Sequence, residues 1–151
     1  MSTTITIHAN AADSAKLAPL FDSYRGFYGL APDLEGAEQF LRDRLERRDS
    51  VVLSAAAQED GAMLGFVQLY PSFSSLRMQP TLILNDLYIR PDARRRGIAR
   101  SLLKGAYALA CERGAVFLYL ETAKTNRAAR GLYESEGYKL DVKFEHYMLE
   151  V

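Results

Sequence analysis

The sequence has little of what marks several large classes of protein. It contains one cysteine, Cys111, which excludes an internal disulfide and a cysteine-rich metal site. No apolar run is long enough to span a membrane, and the first residues do not resemble a secretion signal. Nineteen basic and nineteen acidic residues cancel, so no net charge draws the chain to nucleic acid or to a membrane surface. We therefore expect a soluble cytoplasmic protein without nucleic-acid or membrane partners, in which residues 1–151 form a single domain.

Two common phosphate-binding fingerprints and the usual metal-ligand patterns are also missing. Neither the GxGxxG dinucleotide pattern nor the GxxxxGK[ST] loop occurs. The two histidines, His8 and His146, lack the spacing of metal ligands, so we expect no metal site. A phosphate ligand would have to be held by a different turn.

Residues 81–104 supply a candidate for that turn. They have the pattern of an apolar strand, a proline-marked turn, a run of arginines closing on Gly97, and an amphipathic helix. We expect the arginines at the start of this helix, where backbone N–H groups lack internal partners and glycine allows a close approach. The stretch therefore predicts an anion site. Because the arginines are confined to one short segment, a small phosphate ligand fits them better than a nucleic-acid duplex does. A solvated basic helix start is the alternative.

The remaining residues alternate between strand and helix patterns. Strands are expected at residues 5–8, 51–57, 63–70, 82–89 and 116–120, with one or two closing strands within residues 138–151. The turn Glu59-Asp60-Gly61 predicts a hairpin, and a polar loop is expected at residues 71–80. The continuous apolar run at 116–120 is typical of a strand covered on both faces.

Four stretches have the spacing of amphipathic helices. They are expected to begin near residues 13, 33, 97 and 126. Asp33 and Asn126 are good N-cap residues, and Phe40 is expected to face inward from the second helix. The order of elements predicts an α/β (α+β) fold with about four flanking helices. Its central sheet is mixed and mostly antiparallel, with one splayed parallel strand pair.

Two motifs together resemble those of a known family. Arg94-x-x-Gly97-x-Ala99 lies between a strand and a helix, and Asn126-x-x-Ala129-x-x-Leu132-Tyr133-x-x-x-Gly137-Tyr138 lies near the end of the chain. The first is similar to the pyrophosphate-binding turn, and the second to the acceptor-side helix, of the GNAT superfamily of acetyl-CoA-dependent N-acetyltransferases. The stretches LYPSFSS, LNDLYI and LETAKTN resemble a bacterial branch related to histone, polyamine and amino-acid acetyltransferases.

The resemblance implies that acetyl-CoA is the cosubstrate and that it lies where the strands at 82–89 and 116–121 splay apart. Backbone groups of Leu87 and Ile89 would pair with the thioester and the pantetheine amides, and a backbone N–H there would stabilise the oxyanion. The implied cofactor-binding residues are Leu87, Tyr88, Ile89, Arg94, Arg95, Arg96, Gly97, Ile98, Ala99, Arg100, Asn126, Ala129 and Tyr133.

Direct attack by an amine requires two proton transfers. An ammonium with a pKa of about 10.4 must lose its proton, and the leaving thiolate, whose thiol has a pKa of about 8.5, gains from being protonated. Tyr133 falls on the family's tyrosine position and is the candidate acid, with a packed helix aromatic as the alternative. Glu121 at the end of a strand is the first candidate base, and Asp86 within an apolar strand is the second. Each carboxylate could instead be a structural partner of a buried donor.

The acceptor pocket is expected to come from the first helix, its exit and the loop after the third strand. Aromatic side chains there could hold a cationic amine through the faces of their rings, whereas packing in the core is the alternative. The candidate substrate-binding residues are Tyr24, Phe27, Tyr28, Tyr70 and Phe73.

The sequence thus predicts acetyl transfer from acetyl-CoA to a primary amine of a small molecule, such as an amine, polyamine or amino acid, in a ternary complex. A protein lysine or N-terminus is the alternative acceptor. A CoA-binding sensor without turnover is an alternative of another class, and a nucleic-acid module using residues 90–100 has no recognition motif to support it. The resemblance also implies a homodimer.

Overall fold

The computed structural model describes residues 2–8 and 10–151, which form two compact units divided between Glu121 and Thr122. The first unit holds the sheet and the first three α-helices, and the second unit holds the fourth. Among the described residues, no helix is both long and apolar enough to cross a membrane. The single domain expected from the length of the chain stays a prediction.

One five-stranded sheet, in the order β1-β2-β3-β4-β5, forms the centre of the first unit. Its strands are β1 (Thr3–His8), β2 (Val51–Ala57), β3 (Met63–Ser74), β4 (Gln79–Ile89) and β5 (Leu118–Tyr119). The first four pair antiparallel, and β4 pairs parallel with β5, where Leu82 lies opposite Leu118. The predicted mixed sheet with one parallel pair is therefore confirmed.

In the part of the chain that the structure describes, four α-helices begin close to the predicted positions. They are α1 (Ser14–Phe27), α2 (Leu34–Glu46), α3 (Ile98–Glu112) and α4 (Arg127–Ser135). The Asp33 side chain accepts from the Gly36 N–H at 2.9 Å, and the Asn126 side chain accepts from the Ala129 N–H at 3.1 Å. Both predicted N-caps are confirmed, because each satisfies an N–H group that has no partner inside its helix.

Helices cover both faces of the sheet in the first unit. Val52 of β2 joins the buried cluster beneath α1 and α2, whereas a Cβ added to Gly105 of α3 would lie 2.9 Å from Leu53 Cδ2. Successive residues of a strand point to opposite faces, so the two helix layers lie on opposite sides of β2. Phe40 corrects one expectation: it is 42% exposed and stacks on Phe21 with ring centroids 5.6 Å apart, rather than facing fully inward.

The polar loop predicted for residues 71–80 is wrong, because the β3–β4 pairing continues through most of it. Phe73 lies opposite Pro80 and Ser74 opposite Gln79, which leaves a turn of residues 75–78. Pairing between β2 and β3 stops at the pair Val51 and Leu69, so beyond Leu69 β3 has a neighbour on one side only. Proline and polar residues are tolerated in such an edge segment.

Two expectations for the last third of the chain are also wrong. The strand predicted at 116–120 is reduced to Leu118–Tyr119, and it is not covered on both faces, since Phe117 is 39% and Tyr119 43% exposed. Residues 138–151 contain no strand in the structure. A strand requires a paired neighbour, so an alternating sequence forms one only where a neighbour is available.

Candidate active site

A β-bulge in β4 sets the geometry of the candidate site. Gln68 of β3 lies opposite Asp86, but the next residue, Leu69, lies opposite Leu84, so Asn85 is an extra residue in β4. Gln68 and Leu69 face opposite sides of the sheet, and directly paired residues share a face. Leu84 and Asp86 therefore also face opposite sides, although they are two residues apart. Bulges commonly redirect side chains in this way beside active sites.

The bulge places the Asp86 carboxylate in a buried network of hydrogen bonds. Asp86 is 5% exposed, and its Oδ2 accepts from Gln68 Nε2 at 2.7 Å while its Oδ1 accepts from Asn85 Nδ2 at 3.1 Å. Gln68 Oε1 in turn accepts from Ser50 Oγ at 2.7 Å, and both of these residues are buried. Sequence reasoning missed Gln68 and Ser50, although a lone glutamine in the apolar run FVQLY was a usable signal.

Asp86 lies at a cavity of about 420 Å³ formed by α1, α2, β3 and β4. Aromatic rings make up much of its wall, and two carboxylates and two further polar side chains complete it. The lining residues are Phe21, Tyr24, Arg25, Asp33, Gly36, Ala37, Phe40, Tyr70, Asn85 and Asp86. Arg25 is already paired with Asp22, its Nη1 lying 2.9 Å from Asp22 Oδ1. A carboxylate among ring faces favours a cationic ligand.

The two tyrosines of the cavity respond to the buried carboxylate. Burial raises the pKa of the Tyr24 phenol, and the negative charge of Asp86 and a side-chain hydrogen bond with it raise that pKa further. Burial and the charge of Asp86 also raise the pKa of Tyr70, against a smaller lowering by Arg44. Both phenols therefore remain protonated at neutral pH and can donate a hydrogen bond.

The structure gathers only some of the expected acceptor residues around this cavity. Tyr24 and Tyr70 line it. Phe27 and Tyr28 lie beside it in an aromatic cluster, since the Tyr24 and Tyr28 centroids are 5.1 Å apart and those of Phe27 and Tyr88 are 6.2 Å apart. Phe73 lies outside the cavity lining and is 81% exposed near the end of β3.

The turn before α3 differs from the expected helix start. A short 3₁₀ turn at Pro91–Ala93 follows β4, and α3 begins only at Ile98, so the three arginines precede the helix instead of opening it. Gly97 is the N-cap with φ of +77°, a left-handed conformation that glycine adopts without strain. The Ser101 N–H donates to the Gly97 carbonyl at 3.0 Å, which is the first hydrogen bond within the helix. The N–H groups of the helix residues before Ser101 therefore have no acceptor inside the helix. A Cβ added at Gly97 would meet no atom within 4 Å.

Arg94 connects this turn to the aromatic cluster. Its Nε donates to the Ile89 carbonyl at 2.9 Å. Its guanidinium carbon lies 5.6 Å from the Phe27 ring centroid and 5.7 Å from that of Tyr88. The Arg94 side chain is therefore engaged by the protein's own groups, which gives it a role in positioning the turn.

The other expected residues follow β5. Glu121 is exposed and lies two residues beyond β5. In the second unit, Asn126 caps α4, and the buried Tyr133 ring lies 5.8 Å from the Tyr138 ring. Burial, with smaller contributions from Tyr133 and Glu136, raises the pKa of Tyr138 to about 12.

Known proteins are similar to this chain in both sequence and fold. Residues 17–138 match the model of the acetyltransferase (GNAT) family. A Bacillus subtilis protein named an uncharacterized N-acetyltransferase, YhfO, is 50% identical over 143 residues, 95% of each chain. A crystal structure described as a probable acetyltransferase is 40% identical with a TM-score of 0.90, over 100% of this chain and 98% of that one. A Saccharomyces cerevisiae D-amino-acid N-acetyltransferase is 32% identical over 83 residues, 55% of this chain and 52% of that protein.

The engagement of Arg94 predicts an unequal effect of alanine substitutions in the turn. Arg94→Ala removes a hydrogen bond and two ring contacts, and we expect it to lower the free energy of unfolding by about 1–2 kcal/mol. The control, Arg95→Ala, changes an exposed neighbour and should stay within about 0.5 kcal/mol of the wild type. Urea unfolding followed by circular dichroism measures both values, and equal losses would contradict the positioning role.

Proposed function

Because this chain belongs to the acetyltransferase (GNAT) family, we propose that it transfers the acetyl group of acetyl-CoA to the primary amine of a small molecule. The family uses acetyl-CoA and an acceptor amine, so the chain is an N-acetyltransferase. The acceptor class and the residue roles are the proposal. The observation that carries it is the buried Asp86 carboxylate at the aromatic cavity.

The cavity supports a small cationic acceptor. A volume of about 420 Å³ is at the low end of ligand sites, which span roughly 300–1,000 Å³. An ammonium group can be attracted both by Asp86 and by the ring faces of Tyr24 and Tyr70. The name of the yeast relative, a D-amino-acid N-acetyltransferase, also fits a small acceptor. A protein lysine or N-terminus, entering the same cavity as a single side chain or chain end, is the second candidate.

The acetyl-CoA site is proposed along β4 and the turn that follows it. Parallel pairing with β5 ends at Ile83 and Tyr119, so the rest of β4 has a backbone edge beyond that pairing, on the side away from β3. Backbone groups of Leu87 and Ile89 would contact the thioester and pantetheine there. The pyrophosphate would bind the backbone amides from Arg95 to Arg100, where Gly97 leaves room. The Ile89 carbonyl already accepts a hydrogen bond from Arg94 Nε. We therefore propose that the N–H of Ile89, and not its carbonyl, contacts the cofactor.

The chemistry proposed is direct attack in a ternary complex. The bound ammonium loses a proton to a carboxylate, directly or through water, and the neutral amine attacks the thioester carbon. A β4 backbone N–H stabilises the oxyanion, and the C–S bond breaks as the departing thiolate receives a proton. Asp86 is preferred to Glu121 as the base because it lines the cavity, whereas Glu121 is exposed. Tyr133 remains the proposed acid by its place in the family motif.

An acceptor screen tests the proposed function. Purified protein and acetyl-CoA are mixed with polyamines, both enantiomers of amino acids, and a lysine peptide, and free CoA thiol is measured. Thiol release that depends on a small amine is the expected result. Release only with the peptide would favour the protein acceptor. Tight acetyl-CoA binding without turnover on any amine would favour the sensor alternative.

The two candidate bases can be separated by substitution. Asp86→Asn keeps the shape of the side chain but cannot take a proton at neutral pH, so kcat should fall by about 100-fold or more. The matched variant Glu121→Gln should leave kcat near the wild-type value. If Asp86→Asn raises KM and leaves kcat unchanged, Asp86 anchors the ammonium and is not the base. A large loss only in Glu121→Gln would reverse the assignment.

Two glycines of similar backbone conformation test the cofactor turn. Gly97 (φ +77°) and Gly61 (φ +72°) both have open space where a Cβ would be added. Alanine at either position should therefore carry a similar left-handed strain, about 1–2 kcal/mol. Only Gly97→Ala also places a methyl group beside the amides proposed to bind the pyrophosphate, so calorimetry should show roughly tenfold weaker acetyl-CoA binding for that variant alone. Unchanged affinity would count against the proposed turn.

A further inference from the structure

Two arginines lie beside the aromatic cavity, and each is already matched by a carboxylate of its own. Arg25 lines the cavity, and its Nη1 donates to Asp22 Oδ1 at 2.9 Å. Arg44 lies close enough to Tyr70 to oppose the rise in the pKa of that phenol that burial causes. Its Nη1 lies 3.1 Å from Asp49 Oδ2. The positive charges of both arginines are therefore offset before any ligand enters.

The two carboxylates of the cavity lining have no such counter-charge. The hydrogen bonds that Asp86 accepts from Gln68 and Asn85 come from neutral amides. Asp33 Oδ1 accepts from the Gly36 N–H at 2.9 Å, which is a neutral donor as well. In the part of the chain that the structure describes, neither carboxylate forms an ion pair with a basic side chain. The lining thus carries two negative charges that a ligand can balance.

These two carboxylates lie at different depths and on different elements. Asp86 is 5% exposed within β4, whereas Asp33 is exposed at the residue that precedes α2. The Asp33 backbone is held in place because its N–H donates to Asp22 Oδ1 at 3.1 Å. A Cβ added to Gly36 would overlap the Asp33 carboxylate, so glycine leaves the space that this carboxylate occupies. Both carboxylates belong to the first unit.

We propose that the cavity binds a diamine, with one ammonium group at Asp86 and the second at Asp33, which makes Asp33 a specificity-determining residue. The inference rests on the proposed function and deepens it. The ammonium at Asp86 loses its proton, its nitrogen bonds to the acetyl carbon, and the C–S bond of acetyl-CoA breaks as the thiolate receives a proton. The second ammonium, with a pKa of about 10.4 as in lysine, keeps its charge at neutral pH.

A carboxylate at the far end of the acceptor, as in an amino acid, is the less favourable alternative. Arg25 lines the cavity, but Asp22 already offsets its charge. Asp33, in the same lining, would repel a second carboxylate. An exposed ion pair corresponds to roughly two- to fivefold in affinity, so the contact with Asp33 refines the choice among amines that Asp86 already attracts.

Three four-carbon acceptors that differ only at the far end test the proposal. Release of CoA thiol is measured with 1,4-diaminobutane, butylamine and 4-aminobutanoate, whose far ends are an ammonium, a methyl group and a carboxylate. The diamine should have a kcat/KM about tenfold above that of butylamine, about twofold from its two equivalent amines and about fivefold from Asp33. The aminobutanoate should be the poorest acceptor. A diamine-to-butylamine ratio of about two, or a preference for the aminobutanoate, would overturn the proposal.

Two matched substitutions assign the preference to Asp33. Asp33→Asn removes the charge but keeps the helix cap, because asparagine caps helices about as well as aspartate does. The diamine-to-butylamine ratio should fall to about two in this variant. Glu35→Gln removes a charge from the same turn of α2, outside the cavity lining, and should leave the ratio at about ten. Equal falls in both variants, or an unchanged ratio in Asp33→Asn, would reject the contact.

Calorimetry separates a failure of this inference from a failure of the proposed function. If no amine causes thiol release, the proposed function is wrong, but the diamine and butylamine can still be titrated into the protein with CoA present. Binding of the diamine about tenfold tighter than butylamine, reduced to about twofold in Asp33→Asn, would support the second ammonium site by itself. Turnover of both amines with a kcat/KM ratio near two would leave acetyl transfer standing and reject that site.

Discussion

A carboxylate inside an apolar sheet is stable only when hydrogen-bond donors replace the water it loses. Asp86 meets this condition through Gln68 and Asn85, and Ser50 orients Gln68 from the other side. The bulge at Asn85 is what places Asp86 opposite Gln68 on the face covered by α1 and α2. The charge of Asp86 also adds to burial, the larger cause, in raising the pKa values of Tyr24 and Tyr70, and it favours a cationic ligand in the aromatic cavity.

Features with local causes could be predicted from the sequence. The N-caps at Asp33 and Asn126 depend on residues three positions apart, and both are confirmed. The ends of strands depend on partners that are distant in the sequence, and the predictions of strand ends were wrong. Residues 71–74 are paired because β4 continues alongside them. Residues 138–151 alternate correctly, yet alternation alone does not make a strand, and none is present there.

In the candidate site, too, some residues could be predicted from the sequence and others could not. Asp86 could be singled out because a carboxylate interrupts an apolar strand, and Tyr24 and Tyr70 because they belong to the regions expected to form the acceptor pocket. The structure brings these three to one cavity. Gln68 and Ser50 acquire their roles only through side-chain hydrogen bonds to residues distant in the sequence, which alternation along a single strand does not reveal. Arg94 also depends on tertiary contacts: its position in a basic run indicated an anion site, but its side chain lies against the rings of Phe27 and Tyr88.

The charged group of the cavity lies in the sheet, whereas much of the cavity wall is formed by the helices above it. The carboxylate is held by side chains of β3 and β4 and, through Gln68, by Ser50 just before β2, whereas Phe21, Tyr24 and Phe40 project from α1 and α2. Sequence drift in the two helices can thus widen, narrow or reshape the entrance while the Asp86 carboxylate stays where it is. Descendants of one ancestor could in this way acquire new acceptors by changing a few helix positions, with no need to rebuild the sheet.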